Sequence, residues 1–466
     1  MSTTTRPRRL VTPLVLLLTL ALILAACGDG DADPAQDADA VDETGVEDDA
    51  DTDPAEADAD ADPVTIEMWF NGTPDEHGVL VEEFVNEYEA MNPHITIDWE
   101  MLAWGAYQER VAAAAAGGTL PDIVFSFSTV MPAFAAQGML ANLDDYLDRD
   151  LFLEEALQLG TWDDEWTGIP FWFTSRPLTY RKDLAAEAGL DPDNPPATWD
   201  DLRQWAEALT VEEGGQVERL GYTVRQGVSF AIPDLFWTTL YSNGGRMMDE
   251  SGLQVTLDTQ EALEAAELLQ DLFECCDQPG AIEAENIGLG QGLVAMLLSN
   301  HGVRAWQSEF PDLVEQDAAG FTVYPAGPSA TEDTGVTTLG ANIISVTSQS
   351  DNPREAAEFL AWLTADADNA TRFAGLGQDI PGAAAAQDHP YFDESPYVGM
   401  YRDLLEEARV ATIKHPGVGD FQRIITTHLD SLTLDGADPR AVLDAMAAEL
   451  QAVVDESGIP VEEVVQ

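Results

Sequence analysis

The chain has 466 residues and carries 86 acidic against 20 basic side chains, a net charge of -66. Phosphate backbones would be repelled by such a chain, which excludes nucleic acid as a partner class, and three cysteines are too few for a paired-CxxC metal cluster. The N-terminal acidic part leaves about 400 residues, enough for two domains of ordinary size.

Arg6, Arg8 and Arg9 precede an uncharged run, Leu10 to Ala26. A basic start, a short apolar stretch and a small-residue stop are the parts of a secretory signal, and the run is short for a bilayer span. Its end, Leu24-Ala25-Ala26-Cys27-Gly28, resembles the bacterial lipobox. That resemblance implies cleavage before Cys27 and lipid on its sulfur and new amino end; the alternative is an ordinary signal peptide with a chance cysteine. The pair Arg8-Arg9 suggests twin-arginine export, but the residues after it fit that motif poorly. Gly28 to Pro63 holds sixteen Asp or Glu, no Lys or Arg and no aromatic residue. Such a segment cannot bury enough apolar surface to offset its ordering entropy, so it reads as a disordered, solvated tether, spanning roughly 35 Å and more with self-repulsion. Residues 1–26 are thus expected to be a lipoprotein signal peptide and 27–63 the lipidated cysteine and tether. Residues 64–466 are then a soluble body on the outer face of the membrane, since no later stretch is apolar enough to cross it.

The sixteen tether carboxylates and three leader arginines leave -53 on the body, where the only lysines are Lys182 and Lys414. This acidity is spread along the chain. It fits adaptation to a salty exterior, where screening weakens self-repulsion, better than a single polyanionic functional surface.

Pro63 to Phe70 is β-rich and largely apolar, a buried strand, and Asn71-Gly72-Thr73-Pro74 breaks it. Leu80, Phe84, Val85, Tyr88 and Met91 then fall at helical spacing between glutamates, and Asn92-Pro93 stops that helix. Strand Ile95 to Trp99, a helix over Tyr107 to Ala116 ending in Gly117-Gly118, and strand Ile123 to Phe127 complete a β-α-β-α-β order, which implies a parallel sheet. Further on, helices are expected over Trp199 to Leu209 (opened by Thr198), Gln260 to Phe273, Pro353 to Leu363 (starting at Asn352) and Arg440 to Val454, with a strand over Leu339 to Val346. Asp191 to Pro196 reads as a surface connection. Adjacent Cα atoms lie closer than the usual disulfide range, so Cys275 and Cys276 are expected as inert, partly buried thiols, with a strained vicinal bridge as the alternative outside the cytoplasm.

Several stretches together resemble one family, the extracellular solute-binding proteins of ABC importers, specifically the sugar-binding group that includes maltose-binding protein. "TIEMWFNG" with its helix and "NPHITIDW" looks like the family's opening β-α-β, and "AAAAAGGTLPDIVFS" like its second helix and strand. "IPFWFTSRPLTYRKDLAAEAGLDPDNPPATWDDL" is similar to its crossing strand and Pro-Thr-Trp-Asp turn, and "LGANIISVTSQSDNPREAAEFLAWLT" to its return strand and helix. The weaker "GQGLVAMLLSNHG", "QDIPGAAAA" and the tail from His415 fall in family order, so the likeness covers nearly all of residues 64–466. Arg181 replaces the usual Asn after the tyrosine. Thr73, Thr129 and Thr174 stand where the maltose-binding member has carboxylates, which speaks against maltose as the ligand but not against the fold.

The resemblance implies an α/β, two-lobed periplasmic-binding-protein-like fold (type II), with hinge-linked lobes at 64–174 plus 338–388 and 175–337 plus 389–466. Ligands of open α/β sheets bind outside the carboxyl ends of strands, which here means the interlobe cleft, where closure buries them. Sugar rings offer an apolar face and a rim of hydroxyls, to be met by aromatic faces and by amides, carboxylates and hydroxyls. Trp69, Trp104, Phe127, Trp172, Trp237 and Phe421 are candidate stacking surfaces. Asn71, Thr73, Ser128, Thr129, Thr174, Asp234 and Asn342 are candidate hydrogen-bonding groups. Each has a plainer reading: tryptophans as core, Asn71 and Asn342 as turn residues, Asp234 as a helix start. Trp205 and Trp362 lie on helical stripes and belong to the core.

The expected function is capture of a mono- or oligosaccharide and delivery to an ABC permease in the membrane by a lipid-anchored, monomeric binding protein without cofactor or metal. The alternatives are a secreted glycosidase and a binding protein for another solute or for sensing. No G-x-S-x-G, H-E-x-x-H, P-loop or dinucleotide fingerprint appears, and none of the six scattered histidines is assigned to catalysis or metal.

Overall fold

The computed structural model describes residues 62–465 apart from 73, 103–106, 215, 224–230, 278–284, 300–302, 304–305, 332–334, 395–396 and 408. The signal, Cys27 and the tether lie outside the described residues, as do Thr73 and Trp104. No described helix is long and apolar enough to cross a membrane.

Fifteen strands are described. They are β1 Val64–Asn71, β2 Ile95–Leu102, β3 Ile123–Phe127, β4 Thr161–Trp162, β5 Glu165–Trp166, β6 Ile169–Ser175, β7 Leu178–Arg181, β8 Val211–Glu213, β9 Gln216–Arg219, β10 Met296–Leu298, β11 Ala319–Thr322, β12 Val336–Val346, β13 Ile380–Pro381, β14 Arg409–Lys414 and β15 Glu462–Val465. The larger sheet runs β13-β6-β12-β3-β1-β2, and β14 joins the start of β12 and carries β15. A second sheet has order β10-β7-β11.

The opening βαβαβ unit forms as its periodicity requires. β1 pairs in parallel with both β2 and β3, and the helices Val79–Met91 and Tyr107–Gly117 connect them. The expectation of a parallel sheet is corrected beyond that unit: β12 runs antiparallel to β3 and to β6. Both pairings join strands far apart in sequence, so no local crossover helix sets their direction.

Two apolar cores follow. One wraps the larger sheet, with Phe70, Phe125, Phe171 and Phe373 as its aromatic centre. Ring centroids there lie 5.2 to 6.1 Å apart, each pair contributing about 0.5–1.5 kcal/mol beyond area burial. The other gathers the helices Trp199–Leu209, Ala231–Ser242, Gln260–Cys276, Val418–Thr433 and Pro439–Ser457. Thr198 opens the first of these with a full capping box to Asp201, a device with a typical value of about 1 kcal/mol. Trp205 is buried as expected, and Trp362 is half-buried against Phe84, Tyr88 and Phe359. The segment after His389 packs Phe392, Val398 and Tyr401 into the first core, Tyr401 lying 5.2 Å from Phe321.

Two departures from the usual pattern have structural explanations. Arg181 is buried. Its guanidinium donates to the Asp183 carboxylate and to the carbonyls of Leu289 and Gly290, over the Trp306 ring. Lys414 is buried on β14, where it donates to the carbonyls of Gln158 and Thr161 and pairs with Glu462 at 2.7 Å. The reading of Cys275 and Cys276 as free thiols is corrected: the two form a disulfide at the end of the helix Gln260–Cys276.

Candidate functional site

Side chains alternate across a strand, so residues two apart share a face. On β6 every residue but Thr174 is buried, Trp172 included; Trp172, Thr174 and, just past the strand, Arg176 border a cavity. On β12, Thr338, Gly340 and Asn342 border the same cavity. The register places Gly340 opposite Thr174, and Asn342 opposite both Trp172 and Phe127. The ladder shifts just after Asn342, a feature common where a strand re-aims side chains beside a site. Ser128 and Thr129 follow the carboxyl end of β3, the position where open α/β sheets bind ligands.

The facing wall comes from the helix Ala231–Ser242. Asp234, Trp237 and Tyr241 lie three and four residues apart, hence on one stripe. Thr412 and Ile413 of β14, Gln422 and Asp379 complete an enclosure of about 270 Å³, at the small end of ligand pockets. Hollows of about 410 Å³ beside Arg203 and about 810 Å³ beside Arg372 are more open to solvent.

The aromatic walls are held from behind. Trp172 stacks on Phe373 at 5.2 Å and meets Phe171 edge-on at 4.2 Å. The Trp237 indole N–H donates to the Met247 sulfur at 2.9 Å. Ser128 accepts from the Ala341 amide, which pins β3 to β12. Asn342 is different: its buried Oδ1 has no hydrogen-bond partner among the described residues. A buried polar atom left unpaired costs about 1–3 kcal/mol, so such an atom on a cavity wall is poised for a ligand.

Arg176 and Asp234 form an ion pair at 2.8 Å, with side chains 19% and 9% exposed. Burial pushes the Asp234 carboxyl up to about 6, against the opposing pull of Arg176. Gly340 makes room for this pair, since a Cβ there would come within 2.8 Å of an Arg176 guanidinium nitrogen.

Of the residues expected at the site, the structure brings together Phe127, Ser128, Thr129, Trp172, Thr174, Asp234, Trp237 and Asn342. Three lie elsewhere. Trp69 is half-buried on β1 under the Arg110 guanidinium, 4.3 Å from the ring centre. Asn71 is buried behind Phe127, beside a separate cavity of about 10 Å³. Phe421 is fully buried in the second core and stacks on His415. Sequence reasoning missed Arg176, Thr338 and Gly340, and also Tyr241, Asp379, Thr412, Ile413 and Gln422. The period-two spacing from Thr174 and Asn342 would have found the first three; Asp379 and Gln422 arrive through tertiary folding alone.

The profile of the bacterial extracellular solute-binding proteins matches residues 71–370. The chain belongs to this family. It is 27% identical over 391 residues to a binding protein of Brucella abortus (strain 2308), covering 81% of this chain and 90% of that one. Its structure resembles that of the cyclic alpha-maltosyl-1,6-maltose binding protein from Arthrobacter globiformis, with a TM-score of 0.71 at 22% identity over 84% of this chain and 100% of that one. It also resembles the sugar-binding protein MalE from Xanthomonas citri, with a TM-score of 0.72 at 18% identity over 85% and 98%. The likenesses establish the two-lobed solute-binding fold. The family is extracellular, and these relatives of the solute-binding protein are binding proteins rather than enzymes.

Proposed function

We propose that this solute-binding protein captures an uncharged mono- or short oligosaccharide between its lobes and delivers it, chemically unaltered, to an ABC permease. The observation that carries the reading is the cavity itself: two tryptophans, Trp172 and Trp237, border a space that also meets the Asn342 Oδ1, which has no hydrogen-bond partner among the described residues. Aromatic walls suit the apolar face of a sugar ring and the polar groups suit its hydroxyls. Phe127, Ser128, Thr129 and Thr174 are assigned to the same contact surface. The lobes, divided at 174/175, 337/338 and 388/389, close around the sugar because it binds the closed cleft better than the open one.

The lipobox-like Leu24 to Gly28 supports anchoring through Cys27, and the acidic segment after it supports a leash that lets a monomeric body reach the permease. Against the glycosidase reading, one of the two carboxylates among the described cavity residues, Asp234, is held in an ion pair by Arg176. A thermal-shift screen of the purified protein against mono- and oligosaccharides, with polyols and oligopeptides as controls, tests the proposal. A specific neutral sugar should raise the melting temperature by mass action, and mass spectrometry should recover it intact. Stabilisation by peptides alone, or recovery of a cleaved sugar, would overturn it.

A further inference from the structure

We infer that the Arg176–Asp234 pair is the charge-specificity determinant of the cavity: Asp234 neutralises Arg176, the one cation among the described residues that line it, and so excludes carboxylate- and phosphate-bearing solutes. The inference rests on the binding reading above and adds the class of solute the site refuses. Among the described residues lining the cavity, Arg176 is the single cationic side chain, and the carboxylates are Asp234 and Asp379. An arginine with no partner at such a place would be a strong anion site, because its planar fork matches carboxylates and phosphates. Here one terminal nitrogen of the fork, Nη1, already meets the Asp234 carboxylate at 2.8 Å, and both side chains are largely withdrawn from water.

The two residues come from opposite walls, Arg176 from the end of β6 and Asp234 from the first turn of the helix Ala231–Ser242. Gly340 leaves the guanidinium space to lie across β12 toward its partner. An anionic solute entering this space would displace Asp234 from the guanidinium, leave a buried carboxylate unpaired and face Asp379 as well, each unfavourable in a desolvated site. A neutral polyol meets no such cost and uses the remaining donors and acceptors.

The test is isothermal titration of the full chain and of its Asp234→Asn and Arg176→Gln/Asp234→Asn variants with matched probes: glucose and glucuronate, galactose and galacturonate, glycerol and sn-glycerol 3-phosphate. The wild-type chain should bind no anionic probe more tightly than its neutral partner. Asp234→Asn should gain at least tenfold in affinity for one or more anionic probes, and the double variant should lose that gain because it needs the arginine. Asp234→Ser serves where Asp234→Asn does not fold. Wild-type binding of an anionic probe as tight as its neutral partner would overturn the inference. So would the lack of any anionic gain in a folded Asp234 variant, or a gain that persists without Arg176. A wild-type chain that takes no neutral sugar in the broader screen counts against the carbohydrate reading instead, and leaves the gain in the Asp234 variant readable by itself.

Discussion

Replacing Asn342 by alanine should separate binding from stability. Its Oδ1 is buried and has no partner among the described residues, so the unliganded fold carries a desolvation cost of about 1–3 kcal/mol at that atom. Asn342→Ala relieves that cost but removes the packing of the amide against its β6 and β3 neighbours, Trp172 and Phe127, which offsets about 1 kcal/mol of it. The net expectation is a melting temperature that is unchanged or slightly higher. Sugar binding should move the other way. One buried hydrogen bond that only the ligand completes contributes about 1–3 kcal/mol, a loss of roughly 5- to 150-fold in Kd. Urea unfolding of the unliganded variant and calorimetric titration with the best sugar from the screen measure the two halves. A variant that unfolds more than 1 kcal/mol more easily while keeping its Kd would refute the reasoning, because Asn342 would then be a structural residue.

Trp237→Ala should weaken sugar affinity by about 1–3 kcal/mol if the ring stacks on the sugar; an unchanged Kd in a folded variant would remove it from the site. Burial raises the Asp234 carboxyl to about 6, so its contribution to stability is complete below the unfolded value near 3.8 and fades as pH rises through about 6. Asp234→Asn should flatten that part of the stability profile, and an unaltered slope would place the titration elsewhere. The net charge of -66 predicts a melting temperature that rises from dilute buffer to molar salt as self-repulsion is screened; equal values would exclude this origin for the acidity. Thiol titration of the unfolded, unreduced body should find neither Cys275 nor Cys276 free, and two reactive thiols would contradict the bridge.

The residues that could be placed from sequence are those whose spacing carries a period. Leu80, Phe84, Val85 and Tyr88 mark their helix, and the third strand has the expected bounds, whereas the first runs one residue on, to Asn71, and the second runs to Leu102 instead of Trp99. Trp172 and Thr174 were candidates through the family resemblance of the crossing strand rather than a period of their own, and both border the cavity. Phe421 was misplaced although its own spacing held the warning: with Ile424, Ile425 and Leu429 it forms one helical stripe, all buried, while its neighbour Gln422 turns to the cavity. Asp379 and Gln422 could not be read, because only the tertiary fold brings residues so far apart in sequence to one wall. The antiparallel course of β6 and β12 escaped a local reading because the two strands lie far apart in sequence.

The position of the bound sugar is the most direct test of the binding cavity. A crystal structure of the protein with the most stabilising neutral sugar should show one intact molecule between Trp172, Trp237 and Asn342, with the Arg176–Asp234 pair unbroken beside it. A sugar bound outside that cavity, or held there by an Arg176 freed from Asp234, would contradict the proposal.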